Sequence, residues 1–267
     1  MPGILDLIGN TPLAELSRLS PNPNVRIFAK LEGNNPGGSV KDRPASNMIK
    51  SALERGDIKP GMKLIEATSG NTGIALAMIA CLYNIEIELI MPSNSTKERV
   101  DTMEAYGAKV ILLDNIEACR DYAEEKSLTD EYLQLNQFAN PDNYLAHYKT
   151  TGPEIWRDTN QKITHFVASM GTTGTIMGTS MYLKEQNPNI QIVGCQPTEG
   201  SSIPGIRRWP VEYLPKIFDP SRVDRIFDIS QEESTLMARE LAKKEAIFGG
   251  MSSGGQAAAA VKLAKEL

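Results

Sequence analysis

The alternation of short apolar strands, glycine-bearing turns and helices constrains the fold of this chain more than any other feature. Residues 63–67 predict a strand, followed by a polar turn at 68–73 and an apolar helix at 74–83. The same order returns from 163 to 186, where the helix stops before Pro188. Strands that alternate with helices pair in parallel and carry helices on both faces of the sheet. We therefore predict an α/β fold with mostly parallel, twisted sheets in three αβα layers.

Further segments follow the same alternation. Ser95 followed by Glu98 has the spacing of a capping box, which predicts that a helix begins there and ends at Gly107. In folds of this kind, ligands bind at the carboxyl ends of the strands, where the glycine-bearing turns fall. The remaining expected elements are strands at 85–91, 109–113 and 190–195 and a final helix at 256–267.

Charge and composition exclude several classes of protein. The chain of 267 residues has a formal net charge of −5, which disfavours nucleic-acid binding because that class usually has a basic excess. The longest apolar run, residues 74–83, is shorter than the ~20 residues of a membrane-spanning helix, and the N-terminus lacks the basic region of a signal peptide. Scattered cysteines are typical of a reducing compartment. We expect a cytoplasmic protein without a membrane or nucleic-acid partner; its cysteines are Cys81, Cys119 and Cys195.

The turn Met170–Thr175 lies between a predicted strand and a predicted helix. Backbone N–H groups at a helix N-terminus form an anion site together with the helix dipole, and glycines allow a phosphate to approach closely. The turn lacks the lysine of a Walker A loop and the spacing of a dinucleotide fingerprint, so a single phosphate ester fits best. A plain tight turn is the alternative.

Two other polar turns hold candidate binding groups. The turn Thr68–Gly73 has the same placement and could hold a carboxylate, although a structural turn explains it equally well. Gly250–Gly254 matches the G-x-S-x-G nucleophile elbow, but no acid–histidine pair follows it in the chain. This disfavours a serine hydrolase, and the hydroxyls could instead bond to a bound ring. His147 and His165 show no ligand spacing with the cysteines, so no metal site is expected.

Lys41 follows a polar, glycine-rich stretch that opens a predicted helix. Ser39 and Asp42 form a capping-box-like start, which would place Lys41 in the first helical turn. The positive end of the helix dipole should lower the pKa of a lysine there, and Schiff-base chemistry needs such a lysine. A solvated surface lysine is the alternative from the residues alone.

A phosphate turn, a poised lysine, a carboxylate turn and a ring-facing serine together indicate pyridoxal phosphate. In these motifs the sequence closely resembles the cysteine synthases, or O-acetylserine sulfhydrylases, of the fold type II (β-family) pyridoxal phosphate enzymes, and within them the B type. The resemblance spans nearly the whole chain. It rests on residues 8–13, 34–43, 66–73, 151–156, 171–175 and 249–255 and, for the B type, on 199–209.

The resemblance implies a role for each site residue. Lys41 would be the catalytic Schiff-base lysine, Asn71 would bond to the phenolic oxygen of the cofactor, and Ser252 would face its pyridine nitrogen. The phosphate would be held by Gly171, Thr172, Thr173, Gly174 and Thr175. The α-carboxylate of the substrate would be held by Thr68, Ser69, Asn71, Thr72 and Gln137.

The implied reaction is a β-replacement. O-acetyl-L-serine and a sulfur donor, sulfide or thiosulfate, would give L-cysteine through an α-aminoacrylate intermediate, and Arg207 or Arg208 could hold an anionic donor. Two alternatives stay open: another enzyme of this chemistry, such as a cystathionine β-synthase or a serine/threonine dehydratase, or a non-catalytic homologue that binds a peptide in its cleft.

Two domains are expected from the polar stretch 140–143, which separates two halves rich in strand–helix units. The resemblance implies a smaller, substrate-gripping domain of residues 1–12 and 35–145. It implies a larger, cofactor-phosphate domain of residues 13–34 and 146–267, and a homodimer. Family members continue past Leu267, so the second domain would be cut short. Pro44 stands where the family usually has Ala, and at the fifth position of a helix it would remove one backbone hydrogen bond.

Overall fold

The computed structural model describes residues 3–68 and 70–267, and the chain divides into two compact units. The first contains Met1–Gly9 and Glu32–Ala146, and the second contains Asn10–Leu31 and His147–Leu267. The chain therefore changes unit after residues 9, 31 and 146, against expected changes after 12, 34 and 145. The assignment of the two domains to substrate and cofactor stays a prediction.

Nine strands and nine α-helices are formed within the described ranges. The strands are β1 (Leu13–Glu15), β2 (Phe28–Lys30), β3 (Lys63–Ala67), β4 (Ile87–Pro92), β5 (Lys109–Leu113), β6 (Tyr132–Gln134), β7 (His165–Ser169), β8 (Gln191–Pro197) and β9 (Arg225–Ile229). The helices are α1 (Asp42–Arg55), α2 (Asn71–Leu82), α3 (Lys97–Ala105), α4 (Ile116–Ser127), α5 (Pro141–Ala146), α6 (Gly152–Asp158), α7 (Gly174–Gln186), α8 (Gln231–Glu245) and α9 (Met251–Ala264). None of the helices described is long and apolar enough to cross a membrane.

The sheet of the first unit has four parallel strands in the order β5-β4-β3-β6. Every residue of β4 is buried, as is typical of a parallel strand covered on both faces. Leu64 and Leu89 pack in one cluster with α1 and α2, whereas Ile65 and Ile90 pack in another with α4. This three-layer packing fixes the carboxyl end of β3, from which a polar turn leads to α2.

The second unit contains a three-stranded parallel sheet, β7-β8-β9, and the antiparallel pair β1-β2. Cys195 and Ile229 from this sheet are fully buried against Ala259 and Leu263 of α9. The helix α7 packs against β7 and β8. The turn from β7 to α7 is therefore held between two packed elements. The predicted α/β class with parallel sheets is confirmed.

Two local predictions near helix starts are wrong. Thr96, and not Ser95, precedes α3, and its side chain makes no capping bond. The N–H of Ser95 donates to the Pro92 carbonyl at 2.9 Å, so that Ser95 belongs to the turn before the helix.

Pro44 costs α1 no hydrogen bond. It is the third residue of the helix rather than the fifth, because α1 begins at Asp42. The first four N–H groups of a helix have no partner within it, so a proline is tolerated there. The predicted loss of a helical hydrogen bond is therefore wrong.

Candidate active site

Lys41 lies directly before α1, in the first unit, and is partly buried. Ser39 does not cap α1; its hydroxyl oxygen accepts a hydrogen bond from the Lys41 N–H at 3.2 Å. The predicted capping-box start is therefore wrong, and Lys41 precedes the first helical turn. Burial lowers the pKa of the Lys41 ammonium, because desolvation disfavours its charged form. An amine kept neutral in this way is a competent nucleophile toward a carbonyl.

The residues that follow Lys41 anchor its backbone. The Asp42 carboxylate is buried and accepts a hydrogen bond from the Gly37 N–H at 2.5 Å. A Cβ at Gly37 would lie 2.5 Å from Asp42 Oδ1, so this close approach requires glycine. Arg43 is buried and pairs with both carboxylate oxygens of Glu32, at 2.7 and 2.8 Å. The sequence predicts only a capping role for Asp42, and no motif in it indicates the contact between Arg43 and Glu32.

The buried carboxyl of Asp42 makes stability depend on pH. Burial raises its pKa from 3.8 to about 6, so the folded protein holds this proton more tightly than the unfolded chain does. The contribution of Asp42 to the free energy of unfolding is therefore largest below pH 3.8 and is lost as the pH rises through about 6. We expect the stability of the parent relative to Asp42→Asn to fall by roughly 1–3 kcal/mol from about pH 4 to about pH 7.

Urea unfolding of both proteins at a series of pH values measures this difference. Asp101→Asn, at an exposed position of α3, provides the reference for a carboxylate removed from the surface. A difference between parent and Asp42→Asn that is independent of pH would contradict the assignment.

Two of the expected carboxylate-binding residues, Thr72 and Gln137, are joined by a hydrogen bond beside the turn between β3 and α2. Thr68 and Thr72 are buried, and the Thr72 hydroxyl donates to Gln137 Oε1 at 2.8 Å. A Cβ at Gly73 would lie 2.7 Å from Thr68 Cγ2, so glycine lets the turn fold onto the helix start. Asn71 is exposed at the first position of α2. Ser69, the remaining member of the set, lies outside the described residues.

The turn Met170–Thr173 connects β7 to α7 in the second unit. Thr173 has a left-handed backbone (φ 70°), which is unusual and strained for a β-branched residue. Its Oγ1 is buried and has no hydrogen-bond partner in the part of the chain that the structure describes. The hydroxyl oxygen of Thr172 accepts from the Gly174 N–H at 3.4 Å, and Gly174 begins the helix.

A phosphate group suits this turn for two physical reasons. A buried, unpaired hydroxyl is unfavourable unless a ligand satisfies it. The strained backbone of Thr173 places that hydroxyl at the N-terminus of a helix of 13 residues, where the dipole favours an anion. The residues present therefore fit the phosphate of pyridoxal phosphate.

Gly171 makes a close approach to a neighbouring loop, and a side chain cannot be added there without a shift of backbone. A Cβ at Gly171 would lie 2.7 Å from the carbonyl oxygen of Gly205. We expect Gly171→Ala to displace the phosphate turn and to weaken pyridoxal phosphate binding roughly tenfold, since overpacking costs about 1–3 kcal/mol. Absorbance titration of the apoprotein with the cofactor measures this change. Gly33→Ala, where a Cβ meets nothing within 4 Å, is the matched control; equal affinities for the two variants would contradict the prediction.

His147 supports the phosphate turn, a role that no motif in the sequence indicates. It is fully buried, and its Nδ1 lies 2.9 Å from the hydroxyl oxygen of Thr151. Its Nε2 lies 3.4 Å from the hydroxyl oxygen of Thr175. His147 begins a π-helical turn (His147–Thr151), an irregularity that is frequent at functional sites. The histidine therefore orients the side chain of Thr175.

The segment 203–209 packs on the phosphate turn. Its two candidate arginines have different surroundings. The Arg207 N–H donates to the Met170 carbonyl at 2.8 Å, and Trp209 Nε1 donates to the Gly171 carbonyl at 2.7 Å. The Arg208 guanidinium is held by the Pro197 carbonyl at 2.9 Å and by the Asp228 carboxylate at 2.5 Å. The Arg207 side chain is exposed, with no hydrogen bond or ion pair to the described residues.

Ser252 is the second residue of α9 and is partly buried. A Cβ at Gly205 would lie 3.5 Å from Ser252 Cβ, which places the serine beside the loop that contacts Gly171. The segment before it, 246–250, forms no strand, so the strand–turn–helix context of a nucleophile elbow is absent there. Among the residues described, no three His, Cys, Asp or Glu side chains come together as a metal site.

Comparison with known proteins identifies the class to which this chain belongs. The family described as "Pyridoxal-phosphate dependent enzyme" matches residues 4–267. The chain therefore belongs to the pyridoxal-phosphate-dependent enzymes, and pyridoxal phosphate is its cofactor.

Within that class, the chain is similar to the cysteine synthases. It is 59% identical to cysteine synthase B of Pseudomonas aeruginosa over 269 residues, which cover 100% of this chain and 90% of that protein. It is 58% identical to cysteine synthase B of Salmonella typhimurium, over 97% of this chain and 86% of that protein. The solved structure of cysteine synthase from Entamoeba histolytica matches with a TM-score of 0.93 at 37% identity, over 99% of this chain and 83% of that one.

Proposed function

We propose that this chain is a cysteine synthase of B type, which replaces the acetate group of O-acetyl-L-serine with sulfur to give L-cysteine. The observation that carries the proposal is the 59% identity to cysteine synthase B of P. aeruginosa across the whole chain. The partly buried Lys41 of the first unit and the unpaired Thr173 hydroxyl of the second support it, because this reaction needs an amine and a phosphate site.

Lys41 would move the proton that the reaction requires. Bound pyridoxal phosphate supplies an electron sink for the amino-acid substrate. The neutral Nζ of Lys41, favoured by burial, takes the proton from Cα of the substrate as a general base. The anchors at Asp42 and Arg43 hold the backbone from which this side chain extends.

The first unit would hold the carboxylate of the substrate. Thr72 donates its hydroxyl proton to Gln137 Oε1, which turns the N–H donors of that amide away from Thr72. Amide and hydroxyl donors at a helix N-terminus suit a carboxylate, because the dipole and the hydrogen bonds act together. The proposed set is Thr68, Ser69, Asn71, Thr72 and Gln137.

Ser252 would select among the reactions that the cofactor can perform. A serine hydroxyl is neutral, and the N-terminus of α9 disfavours a positive charge beside it. An unprotonated ring nitrogen is a weaker electron sink than the protonated ring that an aspartate maintains. This favours elimination and replacement at Cβ over transamination.

An assay of the purified protein with pyridoxal phosphate, O-acetylserine and sulfide tests the proposal. We expect cysteine and acetate to form in equal amounts. Pyruvate and ammonia without cysteine would indicate a dehydratase, and cystathionine formation in preference to cysteine would indicate the related synthase. A protein that binds O-acetylserine without releasing acetate would be a non-catalytic homologue.

The assembly and location of the protein are also proposals. We propose a homodimer in the cytoplasm, supported by the three free cysteines and by the similarity to the B-type enzymes. Light scattering at several protein concentrations measures the mass, and a monomer at all of them would contradict the dimer.

A further inference from the structure

Glu66 is a buried carboxylate with a specific set of backbone partners. It lies on β3, two residues before Thr68, and is 3% exposed. Its Oε2 accepts from the Asn136 N–H at 2.9 Å. The neighbouring backbone N–H groups of Leu135 and Gln137 also lower the pKa of its carboxyl. We call residues 135–137 the nest, because their successive backbone N–H groups stabilise one anion.

The segment that forms this nest is irregular and closed by its own contacts. Asn136 has a left-handed backbone (φ 52°), and its carbonyl accepts from the N–H groups of Ala139 and Asn140, both at 3.0 Å. The Asn140 side chain donates to the Leu135 carbonyl at 2.8 Å. With the Leu135 and Asn136 carbonyls bonded to these donors, the Asn136 N–H lies on the side of Glu66, which accepts from it.

Gln137 connects the nest to the proposed substrate site. It follows directly after Asn136, whose N–H is bonded to Glu66, and its side-chain Oε1 accepts from Thr72. Its carbonyl is held by the Asn143 side chain at 2.7 Å. Glu66 is thus connected to both parts of the carboxylate-binding set. It precedes Thr68 by two residues, and its bond to Asn136 holds the residue before Gln137.

Keeping a carboxylate at this position is unfavourable for the fold alone. Burial raises the pKa of Glu66 to about 7, although the backbone N–H groups of the nest lower it, and no cationic group contributes to the shift. A buried acid without a cation costs stability, and such groups are concentrated at functional sites.

We propose that Glu66 is a positioning residue for recognition of the substrate carboxylate: by binding the 135–137 turn, it fixes the Gln137 side chain against Thr72. The inference rests on the proposed function of the site.

Glu66→Gln tests the role with little change of shape. The amide keeps one acceptor oxygen but places N–H donors against the N–H groups of the nest. We expect KM for O-acetylserine to rise about tenfold, with kcat and the KM for sulfide within about twofold of the parent. A merely structural role would reduce the active fraction and so kcat, and would leave KM unchanged.

Glu88→Gln is the matched control. Glu88 is equally buried on the neighbouring strand β4, but its Oε1 accepts from Lys109 and Tyr132 and it makes no bond to the 135–137 turn. We expect it to affect stability without changing KM for O-acetylserine. A similar rise of KM in both glutamine variants would overturn the proposal.

A double-mutant cycle with Gln137→Ala tests whether Glu66 acts through Gln137. If it does, the double variant has the same KM as Gln137→Ala alone. If the two increases in KM multiply, Glu66 acts by another route and the proposal is wrong.

Hydrogen exchange gives a readout that is independent of turnover. In Glu66→Gln, the amide of Asn136 should exchange at least about tenfold faster than in the parent or in Glu88→Gln. Unchanged exchange at this amide would contradict the role of Glu66 as its acceptor.

A parent that makes no cysteine from O-acetylserine contradicts the proposed function, and the substrate role of Glu66 with it. An active parent with an unchanged KM in Glu66→Gln contradicts the role of Glu66 alone.

Discussion

Lys41→Ala is expected to abolish cysteine formation and the visible absorbance that a lysine-linked pyridoxal cofactor gives. The variant loses both the nucleophilic amine and the proposed base, and a positioned general base alone contributes about 10²–10⁴-fold in rate. We therefore expect turnover to fall by at least about 10³-fold. The fold should persist, because the anchors around this position belong to Gly37, Asp42, Arg43 and Glu32 rather than to the lysine side chain.

Absorbance, turnover and borohydride reduction followed by peptide mapping measure this loss. Lys50→Ala, at an exposed position of the same helix α1, is the control and should retain all three signals. If Lys41→Ala still forms a reducible adduct with the cofactor, the assignment of this lysine is wrong.

Arg207→Ala is expected to raise KM for thiosulfate about 10- to 150-fold and to leave KM for sulfide nearly unchanged, since a lost charge-assisted hydrogen bond costs about 1.5–3 kcal/mol. Thiosulfate carries two negative charges and needs a cationic partner when it leaves water, whereas sulfide is small and needs none. The Arg207 guanidinium is exposed, and the backbone N–H of the same residue donates to the Met170 carbonyl, next to the phosphate turn.

Arg208→Ala distinguishes donor recognition from support of the loop. Its guanidinium is already bonded to the Pro197 carbonyl and to Asp228, so its loss should lower stability and affect both donors alike. If the two variants weaken both donors equally, the loop has a structural role and neither arginine selects the donor.

The order of strands and helices could be predicted from the sequence because the spacing of apolar residues and the positions of turn residues are local properties. The strands at 63–67 and 109–113 lie where the apolar runs predict them. The helix starts were less predictable. Ser95 and Ser39 both have the residue type of a cap, but each lies in a turn that ends one or more residues before its helix. A shift of one residue in the backbone decides which side chain can cap.

The sequence by itself determined the α/β class, the family and the residues that form the lysine and phosphate motifs, because these depend on residue type and spacing along the chain. Only the tertiary structure decided that Glu66 meets the turn at 135–137 and that Arg208, but not Arg207, is bonded to Asp228. It also decided that burial lowers the pKa of Lys41, where the sequence suggested the helix dipole. Burial and contacts between distant segments depend on how helices and strands pack, and no local sequence pattern predicts that packing.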